Sequence, residues 1–178
     1  MVDEVILEEE AIVEERAADE GWLSEAILGR PIRALPGLQD PIYLGSHESI
    51  RRAIETMNEA RVGCVMITEA GRLVGVFTER DVLTRVAGLD VDLDATPVGD
   101  LMTAAPECLT LDDGIAYALN KMSIGGFRHV PLVDDQQRPA GLVSMRHIVD
   151  YVVDLFPQAV LNLPPSPSLA IPREREGA

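Results

Sequence analysis

The 178-residue chain is 47% apolar and 25% charged, ordinary values for a soluble protein with a core, and its length suits one compact domain or two small repeated units. Thirty acids against fifteen bases leave a net charge of −15, which repels phosphate backbones and argues against nucleic acid and anionic membrane as partners. No apolar run approaches the roughly 18–20 residues that cross a bilayer. The opening MVDEVILEEE has no basic leader, and Cys64 and Cys108, without a CxxC, form neither a disulfide framework nor a zinc site. A cytoplasmic location is the expectation.

Residues 1–27 read as an acidic helical arm. The first twenty hold nine acids against the single base Arg16, with Val2, Val5, Ile6, Ile12 and Val13 among them at loosely helical spacing. Such an arm is a solvated face or a dock for a basic partner. Trp22, Leu23, Ile27 and Leu28 form an apolar patch at its end that covers the domain or meets a partner.

A doubled unit follows, 28–93 and then 94–157. An offset of 65 pairs Pro41 with Pro106, Leu44 with Leu109, Ile50 with Ile115, Ala53 with Ala118, Met57 with Met122 and Val65 with Val130. After one added residue in DDQQRPA, Gly75 meets Gly141, Thr78 meets Ser144 and Arg80 meets Arg146, and upstream PIRAL at Pro31 faces PVGDL at Pro97. Each copy predicts an extended piece (Ile42–Leu44; Cys108–Thr110) and then a helix. The helix has apolar residues at i, i+3, i+4 and i+7, as in Ile50, Ala53, Ile54 and Met57. Two short strands joined by EAGR or DDQQR come next, VGCVMI with LVGVF and FRHVPLV with AGLVS. The final helices are ERDVLTRVA and RHIVDYVVDLF. The expected fold is α/β, a tandem of β-α-β-β-α units packed sheet to sheet, since neither unit buries enough surface alone. Residues 158–178, with LPPSPSLAIPREREGA, read as a disordered Pro-rich tail.

Chemistry concentrates in GVFTERD, where a strand runs into a helix. Thr78 and Asp81 stand three apart, a capping-box spacing. The same geometry serves a ligand: helix N–H groups attract phosphate, and a carboxylate accepts hydrogen bonds from a ribose diol. Gly75 lets another backbone or a ligand approach its strand. Spacing alone leaves both readings open.

The doubled unit, GVFTERD and FRHVPLVDD together resemble a cystathionine β-synthase-type (CBS) domain pair, or Bateman module, over roughly Leu28 to Leu155. The resemblance implies a regulatory module that binds adenosine-containing ligands (AMP, ADP, ATP or S-adenosylmethionine) in clefts between the paired sheets, and it implies a homodimer. It assigns a first site to Gly45, Ser46, Gly63, Cys64, Val65, Thr78, Arg80 and Asp81. Thr78 would touch phosphate or ribose, Arg80 phosphate, Asp81 the diol and the 63–65 backbone the base. A second, weaker site takes Thr110, His129, Val130, Pro131, Ser144, Arg146 and His147. His147 stands where the carboxylate belongs, and a protonated imidazole there would suit a phosphate. A two-histidine metal site at His129 and His147 is not expected, His47 should face solvent, and both cysteines read as buried apolar groups.

Three functions divide the possibilities: a sensor without catalytic activity whose signal passes to a partner protein, a ligand-free dimerisation scaffold, and an enzyme. No nucleophile–base series, paired carboxylates or metal set supports the last.

Overall fold

A computed structural model describes residues 29–38 and 40–155. The acidic arm, the Trp22 patch and the Pro-rich tail lie outside them. Both copies are present, and the order within the first follows the sequence pattern. Strand β1 (Tyr43–Gly45) leads to helix α1 (Ile50–Ala60), then to β2 (Cys64–Glu69), β3 (Arg72–Thr78) and the short helix α2 (Glu79–Asp81), which continues as a π-helical turn, Val82–Val86. Helix α1 starts where the Ser49 hydroxyl accepts the Arg52 N–H and buries Ile50, Ala53 and Met57, the face that the periodicity predicts. The β2–β3 hairpin turns on Ala70 and Gly71, both at positive φ, as a two-residue connection between twisted strands requires.

Helix α3 (Val98–Leu101) and strand β4 (Thr103–Ala104) bridge to the second copy, made of α4 (Ile115–Gly125), β5 (His129–Val133), β6 (Pro139–Ser144) and α5 (Met145–Leu155). The first sheet runs β1-β2-β3-β4, with β1 parallel to β2 and the other pairs antiparallel. The second sheet has two strands, β5 and β6. The expected extended piece at Cys108–Thr110 shrinks to one parallel bridge, Leu109 with Leu132. Thr110 is drawn out of the ladder because its N–H and hydroxyl both donate to Asp113 Oδ2, a turn that prepares α4.

The core divides into two clusters, and each is completed from across the repeat. Ile32 and Leu35, in the leading segment of the first copy, pack with Leu109, Ile115, Val130 and Leu132 of the second. Val98, with Leu101 and Met102, lies in the leading segment of the second copy and packs with Ile50, Val65 and Phe77 of the first. Backbone bonds follow the same crossing. Ile32 N–H donates to Asp113 O (2.8 Å) and Ile115 N–H to Arg30 O (2.9 Å), while Val98 N–H donates to Glu48 O (2.7 Å) and Ile50 N–H to Thr96 O (3.0 Å). The copies are further tied by Leu73 N–H on Gln137 O (2.8 Å).

Gly75 has a clear task. A Cβ there would strike the Met102 side chain and come within 3.1 Å of Thr103 O. Of the two occupants that the sequence left open, the neighbour is backbone: β4 lies against β3 at this point and brings the inter-copy segment to the site.

Candidate functional site

The end of β3 and the start of α2 form one unit. Asp81 N–H donates to Thr78 Oγ1 (3.3 Å), and Asp81 Oδ2 accepts both the Thr78 N–H (2.9 Å) and the Thr78 hydroxyl (2.7 Å). This is a complete capping box. Asp81 is only 6% exposed, and its other oxygen, Oδ1, lies 3.4 Å from Arg85 Nε and 3.5 Å from the Thr103 hydroxyl. The cap and the ligand reading are therefore not alternatives in space, because the capped pair also walls a cavity.

That cavity, of about 300 Å³, is lined from the first copy by Gly63, Val76, Thr78, Glu79, Arg80 and Asp81. The bridging segment adds Thr103, Ala105, Pro106 and Glu107, and the second copy adds Phe127, Arg128, His129 and Pro131. Its size falls at the lower end of small-molecule sites, roughly 300–1,000 Å³, and a mainly apolar wall with a few convergent polar groups is what such sites present. Arg80 crosses between copies, its Nη1 donating to Gly126 O at 2.9 Å. A guanidinium carries five donors, so this anchor leaves it able to meet an anion as well.

A second cavity, of about 880 Å³, is lined by Cys64, Ser144, Arg146 and His147 among others, and shares Gly63, Glu79, Arg128 and His129 with the first. Here the repeat substitutes a ring for a carboxylate. Ser144 N–H donates to His147 Nδ1 (3.2 Å) and His147 N–H to Ser144 Oγ (3.3 Å), the same reciprocal cap. With Nδ1 accepting, the ring is neutral and its proton sits on Nε2. Burial holds the His147 pKa below its usual 6.5, opposed by Asp150 and helped by Arg146. The protonated imidazole anticipated for this position is thus disfavoured by its own cap. Burial also lowers His129, reinforced by Arg128 and His147 against the pull of Glu79.

Both histidines take up a proton more readily in the unfolded chain. Their contribution to stability is therefore full above pH 6.5, is lost as pH falls through that value and levels off below the folded pKa values. We predict a melting temperature that falls between pH 7 and pH 5.5, with a smaller fall in His147→Asn. A cap of this kind is worth about 1 kcal/mol, or roughly 2–4 °C at this chain length. Equal pH slopes in calorimetric scans of the two proteins would refute the assignment.

The structure brings Gly63, Thr78, Arg80 and Asp81 to the first cavity together with His129 and Pro131, and brings Cys64, Ser144, Arg146 and His147 to the second. Gly45, Ser46, Val65, Thr110 and Val130 line neither cavity. Val65 and Val130 are fully buried in the two cores, the Ser46 hydroxyl donates to Glu69 Oε1 (2.6 Å), Gly45 sits under the His47 ring, and Thr110 is held by Asp113. His47 is exposed. Burial, assisted by the Asp81 charge, pushes the Cys64 thiol up to about 12, which leaves it no thiolate for nucleophilic chemistry at neutral pH. Sequence reasoning missed Val76, Glu79, Thr103, Ala105, Pro106, Glu107, Phe127 and Arg128. Phe127 and Arg128 stood in FRHVPLVDD, Val76 and Glu79 in GVFTERD, and Pro106 opposite Pro41 in the repeat, while nothing marked Thr103, Ala105 or Glu107.

The CBS domain profile matches residues 37–88 and 98–154. CBS domain-containing protein CBSCBSPB3 of Arabidopsis thaliana is 31% identical over 133 residues, 75% of this chain, and the match spans 22% of that relative's length. CBS domain protein PAE2072 from Pyrobaculum aerophilum, solved in complex with AMP, superposes with a TM-score of 0.63 at 27% identity, covering 72% of this chain and 98% of that one. The CBS domain pair of protein MJ0100, solved with 5-methylthioadenosine and S-adenosyl-L-methionine, gives a TM-score of 0.62 over 68% of this chain and 98% of that one, at 24% identity, a likeness of fold. With two matches in tandem that together cover more than half of it, the chain belongs to the CBS domain family.

Proposed function

We propose that the protein is a non-catalytic sensor that binds an adenosine-containing ligand in the first cavity and passes the resulting change in the packing of its two copies to a partner protein. One observation carries this reading: the Thr78–Asp81 pair of one copy and Arg128, His129 and Pro131 of the other wall a single cavity, so an occupant touches both halves at once. Occupancy shifts the packing only so far as the ligand prefers one arrangement. In this reading Asp81 and Thr103 meet the ribose, Arg80 and Arg128 the phosphate, and Pro106, Phe127 and Pro131 the base.

The lining carries Glu79, Asp81 and Glu107 against Arg80 and Arg128. Three carboxylates around two guanidinium groups favour a ligand of low charge, so AMP should bind more tightly than ADP or ATP. The relative solved with AMP supports the choice of ligand class. The helices leave Leu83, Tyr117, Ile124 and Val149 exposed, at 50% or more, and a homodimer built on such apolar groups is part of the proposal, as is a cytoplasmic location.

Thermal melts with AMP, ADP, ATP and S-adenosylmethionine at millimolar concentration test this reading. At about 100 times Kd a ligand adds roughly 2.7 kcal/mol, a rise of roughly 5–10 °C. The second reading, a ligand-free scaffold, is favoured by the Thr78–Asp81 capping box, in which the two side chains satisfy each other and the helix start. No rise with any of the four compounds would select it.

A further inference from the structure

Arg85 does not line either cavity, yet it touches both walls that a sugar in the first cavity would meet. It sits four residues after Asp81 on the π-helical turn Val82–Val86, whose i→i+5 bond runs from Ala87 N–H to Val82 O at 2.8 Å. Its Nε lies 3.4 Å from Asp81 Oδ1. Its Nη1 donates to Leu101 O (2.7 Å) and Met102 O (2.8 Å), the carbonyls at the end of α3 that have no partner within that helix. The next residue is Thr103, whose hydroxyl faces the same Asp81 oxygen.

The two oxygens of Asp81 are therefore not equivalent. Oδ2 is filled by the two Thr78 donors, and a carboxylate oxygen accepts about two hydrogen bonds. Oδ1 has only long contacts, to Arg85 and Thr103, and is the oxygen with capacity for a further donor. The cap anchors the carboxylate at Oδ2, and the charged group beside Oδ1 is the Arg85 guanidinium, itself held in place by two carbonyls of the bridging segment. We infer that Arg85 is the positioning residue for the diol acceptor: it aims Asp81 Oδ1 and sets Thr103 beside it, so that selectivity for a sugar with adjacent hydroxyls depends on a residue outside the cavity. The planar fork makes this possible, since one rigid group meets a carboxylate and two carbonyls together, whereas an ammonium on a flexible stem does not.

This inference rests on the reading of the first cavity as a ribose site, and the experiment separates the two. Calorimetric titrations with AMP and with 2′,3′-dideoxy-AMP are run on the wild-type chain, Arg85→Met and Arg85→Lys, each checked for folding by circular dichroism. The wild type is expected to prefer AMP by about tenfold, the worth of one hydrogen bond to a charged group. Arg85→Met should bind AMP about tenfold more weakly and the dideoxy compound within about twofold of wild type, erasing the preference. Arg85→Lys, the variant that keeps the charge should Arg85→Met fail to fold, is expected to retain part of it. A wild-type protein that prefers AMP beside a folded variant that weakens both ligands equally, or keeps the full preference, overturns the inference alone. A wild-type protein that binds neither compound, or binds both alike, overturns the ribose reading and the inference with it.

Discussion

Asp81→Ala is expected to lower AMP affinity by about tenfold and to lower the melting temperature of the unliganded protein by roughly 4–8 °C. The two effects have separate origins in one side chain. Without the carboxylate, the Thr78 N–H loses its acceptor at a half-buried strand end, and the box loses one of its two reciprocal bonds. A lost cap costs about 1 kcal/mol and an orphaned N–H about 1–3 kcal/mol, and since these overlap we expect about 2 kcal/mol in sum, which sets the shift in melting temperature. The affinity loss comes from the sugar hydroxyl that gives up its hydrogen bond to Oδ1, a bond to a charged acceptor worth about 1.5–3 kcal/mol. Asp81→Asn keeps the shape and one acceptor, so it should retain most of the stability and little of the affinity. Calorimetric titration beside thermal melts reads both. Unchanged AMP affinity in Asp81→Ala would remove Asp81 from the site.

The largest effect on stability is expected from Phe77→Ala. Phe77 is fully buried, pairs with Val65 across the β2–β3 ladder, and packs among Ile50, Met57 and Val98 in the first core. Truncating a buried Phe to Ala costs about 3–5 kcal/mol, the lost transfer free energy plus the cavity that remains. For a chain of this length the melting temperature should drop by roughly 6–20 °C, with a matching fall in the urea midpoint. Thr78 follows Phe77 on the strand and so points to the opposite face. The folded fraction should therefore still bind AMP, and AMP should recover part of the loss. A cost below about 1 kcal/mol would mean that the first core collapses readily around the gap.

Much of this architecture was legible from local pattern. The 65-residue offset exposed the doubling, helical periodicity placed α1 and α4 with their buried faces, and Thr78-x-x-Asp81 announced the cap that the structure contains. The missed residues share a cause, which is that they depend on what meets what across a long separation. Strand β4 joins the sheet through two residue pairs with β3, too few for any alternation to reveal, and it carries Thr103 to Asp81. Strand β2 is buried at five consecutive positions, so the period-2 pattern that tells one face from the other is absent. Nothing in VGCVMI then said that Gly63 and Cys64 would border cavities while Val65 would not. Arg85 stands four residues after Asp81, a pairing that helical spacing allows, but the Leu101 and Met102 carbonyls that hold it arrive from sixteen and seventeen residues further on, which no local pattern shows.

The exchange of leading segments between the copies has a thermodynamic consequence. Each half lends the other a piece of its interior, Ile32 and Leu35 in one direction and Val98 in the other. A chain severed between the halves would yield two fragments, each holding the plug for its neighbour's core and lacking its own. Neither can shut out water except in the other's company, so the module melts as one body and a guest that tightens either half is felt through the whole.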